Sequence, residues 1–211
     1  MGLQVRILVV GPFATNCYLA SDEESKETVI IDPGGDSQRI LEEVQRLELK
    51  PILVLCTHGH VDHTAGVAQV KDALQVPFAL HPEDIPLLKN PSGARHMFPD
   101  YRDPPDPDRL LKGGDTVAFG SCSLLVLETP GHTPGSICLY GHGAVFTGDT
   151  LFQGSVGRTD FPGSSHARLM ASIFTKLAVL PDNTVVLPGH GPRTTIGNEK
   201  RWNPFLGGGL F

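Results

Sequence analysis

Two hundred and eleven residues with 40% hydrophobic and 19% charged side chains describe one globular domain, 1–211, able to bury roughly 70% of its unfolded surface without a disulfide or a structural metal. Seventeen basic against 23 acidic residues leave a net charge of −6, which argues against nucleic acid as the main ligand. No run approaches the roughly 20 apolar residues of a membrane span, and the N-terminus lacks the basic and apolar pattern of a signal peptide. The four cysteines form no C-x-x-C pair, so a reducing, cytoplasmic setting is the expectation.

Runs rich in Val, Ile and Leu at residues 5–10, 16–20 and 28–31 read as three strands. The turn Asp32-Pro33-Gly34-Gly35 follows, Asp36 stands as an N-cap, and Ile40, Leu41, Val44 and Leu47 keep helical spacing. Residues 52–56 are continuously apolar, like a strand buried on both faces; 64–74 return to helical spacing and 77–80 form another strand. Residues 90–109, with five prolines and one glycine, fit no period and are expected to form either a lid over a binding site or a surface insertion. Strands follow at 116–119, 123–128, 136–140 and 144–147, then a helix at 166–177 and a strand at 184–187. Alternating strands and helices in both halves predict a layered α/β protein.

The decisive residues are Thr57-His58-Gly59-His60-Val61-Asp62-His63, just after a buried strand. Three imidazoles and a carboxylate so placed are costly to leave unpaired. In extended chain His58, His60 and Asp62 share one face, and a helix beginning near Thr64 would turn His63 toward the same cavity. Imidazole and carboxylate are the ligands expected for zinc and related first-row metals. Three more apolar strands end in a residue of this type, giving His132 in Pro130-Gly131-His132, Asp149 in Gly148-Asp149 and His190 in Pro188-Gly189-His190. Ligands of α/β sheets gather at such strand ends. Seven candidates suit two metals better than one, and Asp149, with two oxygens, is the natural bridge.

Residues 57–66 (THGHVDHTAG), 130–136 (PGHTPGS), 147–152 (TGDTLF) and 188–192 (PGHGP) together resemble the metallo-β-lactamase superfamily, over nearly the whole chain. Within it the chain is most similar to short, single-domain hydrolases of the glyoxalase II kind. The resemblance implies a four-layer αβ/βα sandwich with the metal site at the edge of its two sheets. It further implies one metal on His58, His60 and His132, another on Asp62, His63 and His190, and Asp149 between them, with Asp62 and Asp149 as the catalytic carboxylates. Two divalent ions, zinc with iron or manganese as alternatives, would then activate a shared water as hydroxide for attack on a carbonyl. A thioester, most simply a hydroxyacylglutathione, suits this site because its thiolate leaves with little help from an acid.

Around this set, Asp32 is expected to orient a ligand imidazole, and Arg158, in the glycine-rich loop 154–163, to bind a substrate carboxylate. His81 is read as a non-ligand, His96 and His142 as solvent-facing, and His166 as opening a helix. Trp202 and Phe205 are expected to pack on the sandwich, while Lys200 and Arg201 are weaker anion contacts. Full-length glyoxalase II carries a C-terminal helical domain that binds glutathione, and the chain is expected to lack it. The competing reading is a persulfide dioxygenase acting on glutathione persulfide, with one iron on His58, His132 and Asp149; residues 157–161 (GRTDF) resemble that branch. A β-lactamase, a nuclease and a non-catalytic metal-binding scaffold are the remaining options. The sequence does not give the oligomeric state.

Overall fold

The alternation of buried side chains in the strands decides the layering. In the computed structural model, which describes residues 2–90 and 93–207, strand β1 (Leu3–Val10) pairs antiparallel with β2 (Thr15–Asp22), and β2 with β3 (Glu27–Ile31). Helix α1 (Ser37–Arg46) returns the chain to β4 (Lys50–Leu55), parallel to β3. Helices α2 (Val61–Thr64) and α3 (Val67–Leu74) lead to β5 (Phe78–Leu80); a 3-10 turn at Pro82–Asp84 runs into α4 (Ile85–Lys89). Strand β6 (Arg109–Leu110) completes a sheet of order β1-β2-β3-β4-β5-β6.

The second sheet has the order β14-β13-β10-β9-β8-β7. Its strands are β7 (Thr116–Phe119), β8 (Cys122–Glu128), β9 (Ile137–Gly141), β10 (Ala144–Gly148), β13 (Val185–Pro188) and β14 (Thr194–Thr195). Between β10 and β13 lie a small hairpin, β11 (Leu151–Phe152) and β12 (Ser155–Val156), and α5 (His166–Ser172), extended by a π-helical turn at Ile173–Leu177. Helix α6 (Ile196–Trp202) follows β14.

Tyr18, Ala20, Val29, Ile31, Leu53 and Leu55 point from the first sheet into a shared core with Val117, Phe119, Leu124, Val126, Leu139 and Phe146 of the second. Their chain neighbours Cys17, Leu19, Ile30 and Val54 face the other way, onto Ile40 and Val44 of α1 and Val67 and Val70 of α3. Cys138, Val145 and Val186 likewise face Leu169, Ile173, Leu177 and Ile196. Apolar side chains on both faces require helices on both outer surfaces, and the result is the expected four-layer αβ/βα sandwich. Among the described residues no helix is long and apolar enough to cross a membrane.

Every expected strand and the helices at 37–46 and 166–177 are present, with four differences. The helix expected at 64–74 is divided at Ala65-Gly66, where the Gly66 N–H donates to the Pro33 carbonyl at 2.8 Å. Asp36 precedes α1 in a left-handed conformation, but its carboxylate accepts from the Gly11 N–H (3.1 Å) and caps nothing. The 90–109 stretch holds a 3-10 turn at Gly93–Met97 and buries Phe98 against Val61 and Ala65; Phe98 also stacks on Phe13 with 6.0 Å between centroids. Trp202 is 73% exposed and Phe205 is also exposed, so the expected packing of these rings on the sandwich does not occur. Helix α6 buries Ile196 and Glu199, and continuing that face reaches Asn203, which leaves Trp202 on the outside. Buried Glu199 accepts from Thr194 Oγ1 (2.6 Å), the Gly154 N–H (2.8 Å) and Asn203 Nδ2 (2.9 Å), fastening α6 to the β11–β12 hairpin.

The Asp22 carboxylate, at the end of β2, clasps the two sheets. It accepts from the Ser25 N–H (2.7 Å) on one oxygen and from the Ser121 hydroxyl (2.5 Å) and N–H (3.1 Å) on the other. The Ser121 hydroxyl first, then the Ser25 N–H, holds its pKa below the usual carboxylate range. A depressed folded pKa contributes stability above the unfolded value, about 3.9, and loses it as the pH falls toward the folded value. Asp22→Asn therefore lowers the melting temperature at pH 7, and thermal melts should show the gap from the parent narrowing below about pH 4. Phe146→Ala, which empties the core edge-on to Tyr18 (5.2 Å), is expected to cost about 3–5 kcal/mol in denaturant titration.

Candidate metal centre

Strands β3 and β4 of one sheet and β8, β10 and β13 of the other end at the same edge of the sandwich, and all seven candidates lie just beyond those ends. Extended backbone persists only through His60, which precedes α2, so a turn of helix, rather than alternation, presents Asp62 and His63. His58, His60 and His132 bring one ring nitrogen each within 4.8 Å of one another; so do Asp62, His63 and His190, while His58 and His63 also group with Asp149. Asp149 faces both sets: Oδ1 is 3.3 Å from His63 Nε2 and 3.6 Å from His190 Nε2, and Oδ2 is 3.5 Å from His132 Nε2. Gly189 makes this approach possible, since a Cβ there would overlap Asp149 Oδ1 and lie 2.7 Å from His63 Cε1.

The far nitrogen of four rings meets an oxygen, and this fixes which nitrogen points inward. His132 Nδ1 donates to the Arg158 carbonyl (2.8 Å), His190 Nδ1 to the Phe13 carbonyl (3.1 Å) and His63 Nδ1 to Asp32 Oδ2 (3.0 Å). Thr57 Oγ1 gives its proton to Asp32 Oδ2 (2.8 Å), so it accepts from His58 Nδ1 (3.1 Å). Each Nε2 therefore points into the cluster, and in the neutral ring carries its lone pair there. His60 turns Nδ1 inward, 2.9 Å from His132 Nε2, and His63 Nε2 lies 3.3 Å from His190 Nε2. Buried His58 Nε2 and Asp149 Oδ1 have no hydrogen-bond partner among the described residues. Converging lone pairs and orphaned acceptors of N/O type fit divalent first-row cations.

The charges agree. Burial, then the neighbouring imidazoles of His63 and His132, pushes the His58 pKa well below its ordinary value, and burial with His132 pushes His60 down to about 4. Burial also opposes a charge on His63, but Asp149, Asp32 and Asp62 outweigh it and raise its pKa well above normal. Burial works against the charge on Asp149 too, yet His63 holds its pKa below the carboxylate norm. The carboxylates of the cluster thus draw positive charge to this edge.

Several supporting residues escape sequence reasoning. Asn16 Nδ2 donates to the carbonyls of Pro188 (2.9 Å) and Gly191 (2.8 Å), and the Tyr18 hydroxyl to that of Pro188 (2.6 Å), holding the His190 loop from the opposite sheet. Asp84 joins the backbone on either side of the imidazoles and is taken up below. None of the three lies in a motif recognised in the sequence.

His81 lies outside the cluster: its Nδ1 accepts from the Glu83 N–H (3.2 Å), and its Nε2 faces Glu128 (3.3 Å). His96 and His142 are exposed, and His166 opens α5, as expected. Lys200 pairs with Asp182 at 2.7 Å. Arg158 is exposed at the rim, forms two hydrogen bonds to Asp160 (3.0 and 2.8 Å) and lies 4.6 Å over the Phe161 ring. Phe161 in turn stands edge-on to His60 (5.2 Å) and His132 (6.0 Å), forming an apolar wall on that side. A cavity of about 720 Å³ between Gly11, Arg39, Gln69 and Tyr101 contains none of the seven candidates; the cluster lies at the sandwich edge instead.

Two sheets sharing an edge lined with imidazole and carboxylate define a metallo-hydrolase fold. Residues 10–190 match the Metallo-beta-lactamase superfamily, and the chain belongs to it. Its fold implies divalent metal ions, and the chain is accordingly a metal-dependent enzyme. It is 39% identical over 209 residues to the hydroxyacylglutathione hydrolase GloC of Haemophilus influenzae, covering 97% of this chain and 98% of that one. Among solved structures it is similar to the BLEG-1 B3 metallo-beta-lactamase (TM-score 0.89, 38% identity, 97% of this chain and 100% of that one). It is likewise similar to TTHA1623 in a di-iron-bound form (TM-score 0.87, 42% identity, 96% and 100%). A third similar structure is ETHE1 from Myxococcus xanthus (TM-score 0.82, 32% identity, 97% and 85%).

Because Asp32 holds both the Thr57 backbone N–H (2.7 Å) and the His63 ring, Asp32→Asn is expected to weaken metal binding by about 10–100-fold, measured by competition with a chelator.

Proposed function

We propose that the chain is a binuclear hydrolase of thioesters, with a hydroxyacylglutathione as substrate. The observation that carries this reading is the division of the donors into two sets flanking one carboxylate: His58, His60 and His132 on one side, Asp62, His63 and His190 on the other, and Asp149 between. In the proposal these residues are the metal ligands. Bound there, two divalent ions supply Lewis acidity and a nucleophilic water at neutral pH. The protein's own part is positional. Oxygen acceptors behind His58, His63, His132 and His190 fix their tautomers, Phe161 excludes water beside His60, and Asp149 keeps the two sets in register.

A thioester needs little more, since its leaving thiolate has a conjugate acid near pKa ~8.5. Arg158 is the proposed contact for the substrate's carboxylate, which would exchange with Asp160 on an exposed guanidinium without a desolvation penalty. The name of the Haemophilus relative supports a glutathione-derived substrate, and the di-iron form of TTHA1623 supports two metals with iron as an alternative to zinc.

The test is hydrolysis of S-lactoylglutathione by metal-reconstituted protein, followed as loss of thioester absorbance. Turnover is expected and is abolished by a chelator and by Asp149→Ala. A fully loaded protein without turnover refutes the reading; oxygen uptake with glutathione persulfide would then assign the dioxygenase. Arg158→Ala is expected to raise KM by about two- to fivefold with little change in kcat, since an exposed ion pair is weak and this contact is the same in ground and transition states.

A further inference from the structure

Asp84 ends the 3-10 turn at Pro82–Asp84 and is completely buried. Its carboxylate touches none of the seven candidates, yet all its bonds go to the chain beside them. Oδ2 accepts from the Gly59 N–H (2.8 Å), between His58 and His60, and from Thr133 Oγ1 (2.7 Å), next to His132; Oδ1 accepts from the Gly135 N–H (2.7 Å). The fit is close. A Cβ at Gly59 would lie 2.8 Å from the Asp84 carbonyl oxygen, and one at Gly135 would lie 2.7 Å from Asp84 Oδ1. One carboxylate thus joins two segments more than seventy positions apart, each carrying part of the set His58, His60 and His132. The other set is held by different groups, His63 by Asp32 and His190 by the Phe13 carbonyl.

We infer that Asp84 is a positioning residue for one metal of the pair: it sets the spacing of His58 and His60 from His132 and leaves the Asp62, His63, His190 position alone. The inference rests on the two-metal reading above. Charge-assisted bonds from backbone N–H groups fix a loop in both distance and direction, and a buried donor that loses its acceptor forces the loop to move. Asp84→Asn keeps the shape and turns an amide NH2 toward at least one of these donors, so at least one of the three contacts is lost, the others lose their charge assistance, and the hold on the two segments weakens.

The experiment measures zinc affinity, by competition with a chromophoric chelator, in two backgrounds that each retain one set. His190→Ala retains His58, His60 and His132; His60→Ala retains Asp62, His63 and His190. Asp84→Asn is expected to weaken zinc by about 10–100-fold in the first background and to leave it unchanged in the second. Equal weakening in both makes Asp84 a general support of the fold and overturns the inference, as does an unchanged affinity in the first. Should Asp84→Asn fail to fold, Thr133→Val, which removes one bond of the three, is expected to show the same asymmetry at smaller size, and Thr133→Ser to restore the parent value. A wild-type protein that takes up a single zinc refutes the two-metal reading separately, and Asp84 is then judged by whether Asp84→Asn weakens that one ion.

Discussion

Inward-facing lone pairs at one edge of the sandwich are the constraint on which the rest of the structure depends. Five imidazoles and the carboxylates of Asp62 and Asp149 converge, with ring nitrogens 2.9 and 3.3 Å apart in two pairs, and among the described residues His58 Nε2 and Asp149 Oδ1 find no hydrogen-bond partner. Such a set stays together only if the chain behind each side chain is held and positive charge enters in front. Much of the polar architecture answers the first need. Asp32, Thr57 and the carbonyls of Phe13 and Arg158 lie behind the rings, and Asn16 and Tyr18 reach across from the opposite sheet to the His190 loop. The carboxylates of Asp62 and Asp149 answer the second, drawing positive charge to this edge.

The sandwich serves this edge through strand direction. Strands β3 and β4 are parallel in one sheet, as are β10 and β13 in the other, so their carboxyl ends deliver Asp32, His58, Asp149 and His190 to one place. The shared core between the sheets is closed by large side chains such as Tyr18, Phe119 and Phe146, and rigid packing there keeps the two edges in register. Precision at the site therefore comes from strand ends anchored in a packed core.

The seven candidates were legible in the sequence because each closely follows an apolar strand and five of them, His58, His60, His132, Asp149 and His190, adjoin a glycine, a local pattern that needs no knowledge of the partner strand. The layering was legible in part for the same reason: the continuous apolar run at 52–56 demands cover on both faces. What escaped was nonlocal. Asp84 and Asn16 act through bonds to residues 51 and 175 positions away, and nothing around them marks that reach. Asp36 reads as a cap until the Gly11 N–H claims its carboxylate. The paired strands β11–β12 and the edge strand β14 have two residues each, too few to show a period, and Trp202 was misplaced because α6 buries Glu199 and Asn203 in its stead.

Glu199 and Asn203 make the last helix a strut. Both grip the β11–β12 hairpin, through the Gly154 N–H and the Ser155 carbonyl, and that hairpin runs directly into the segment whose Arg158 carbonyl steadies His132. Through the hairpin the last helix is thus tied to the stretch of chain that carries the acceptor of His132 Nδ1.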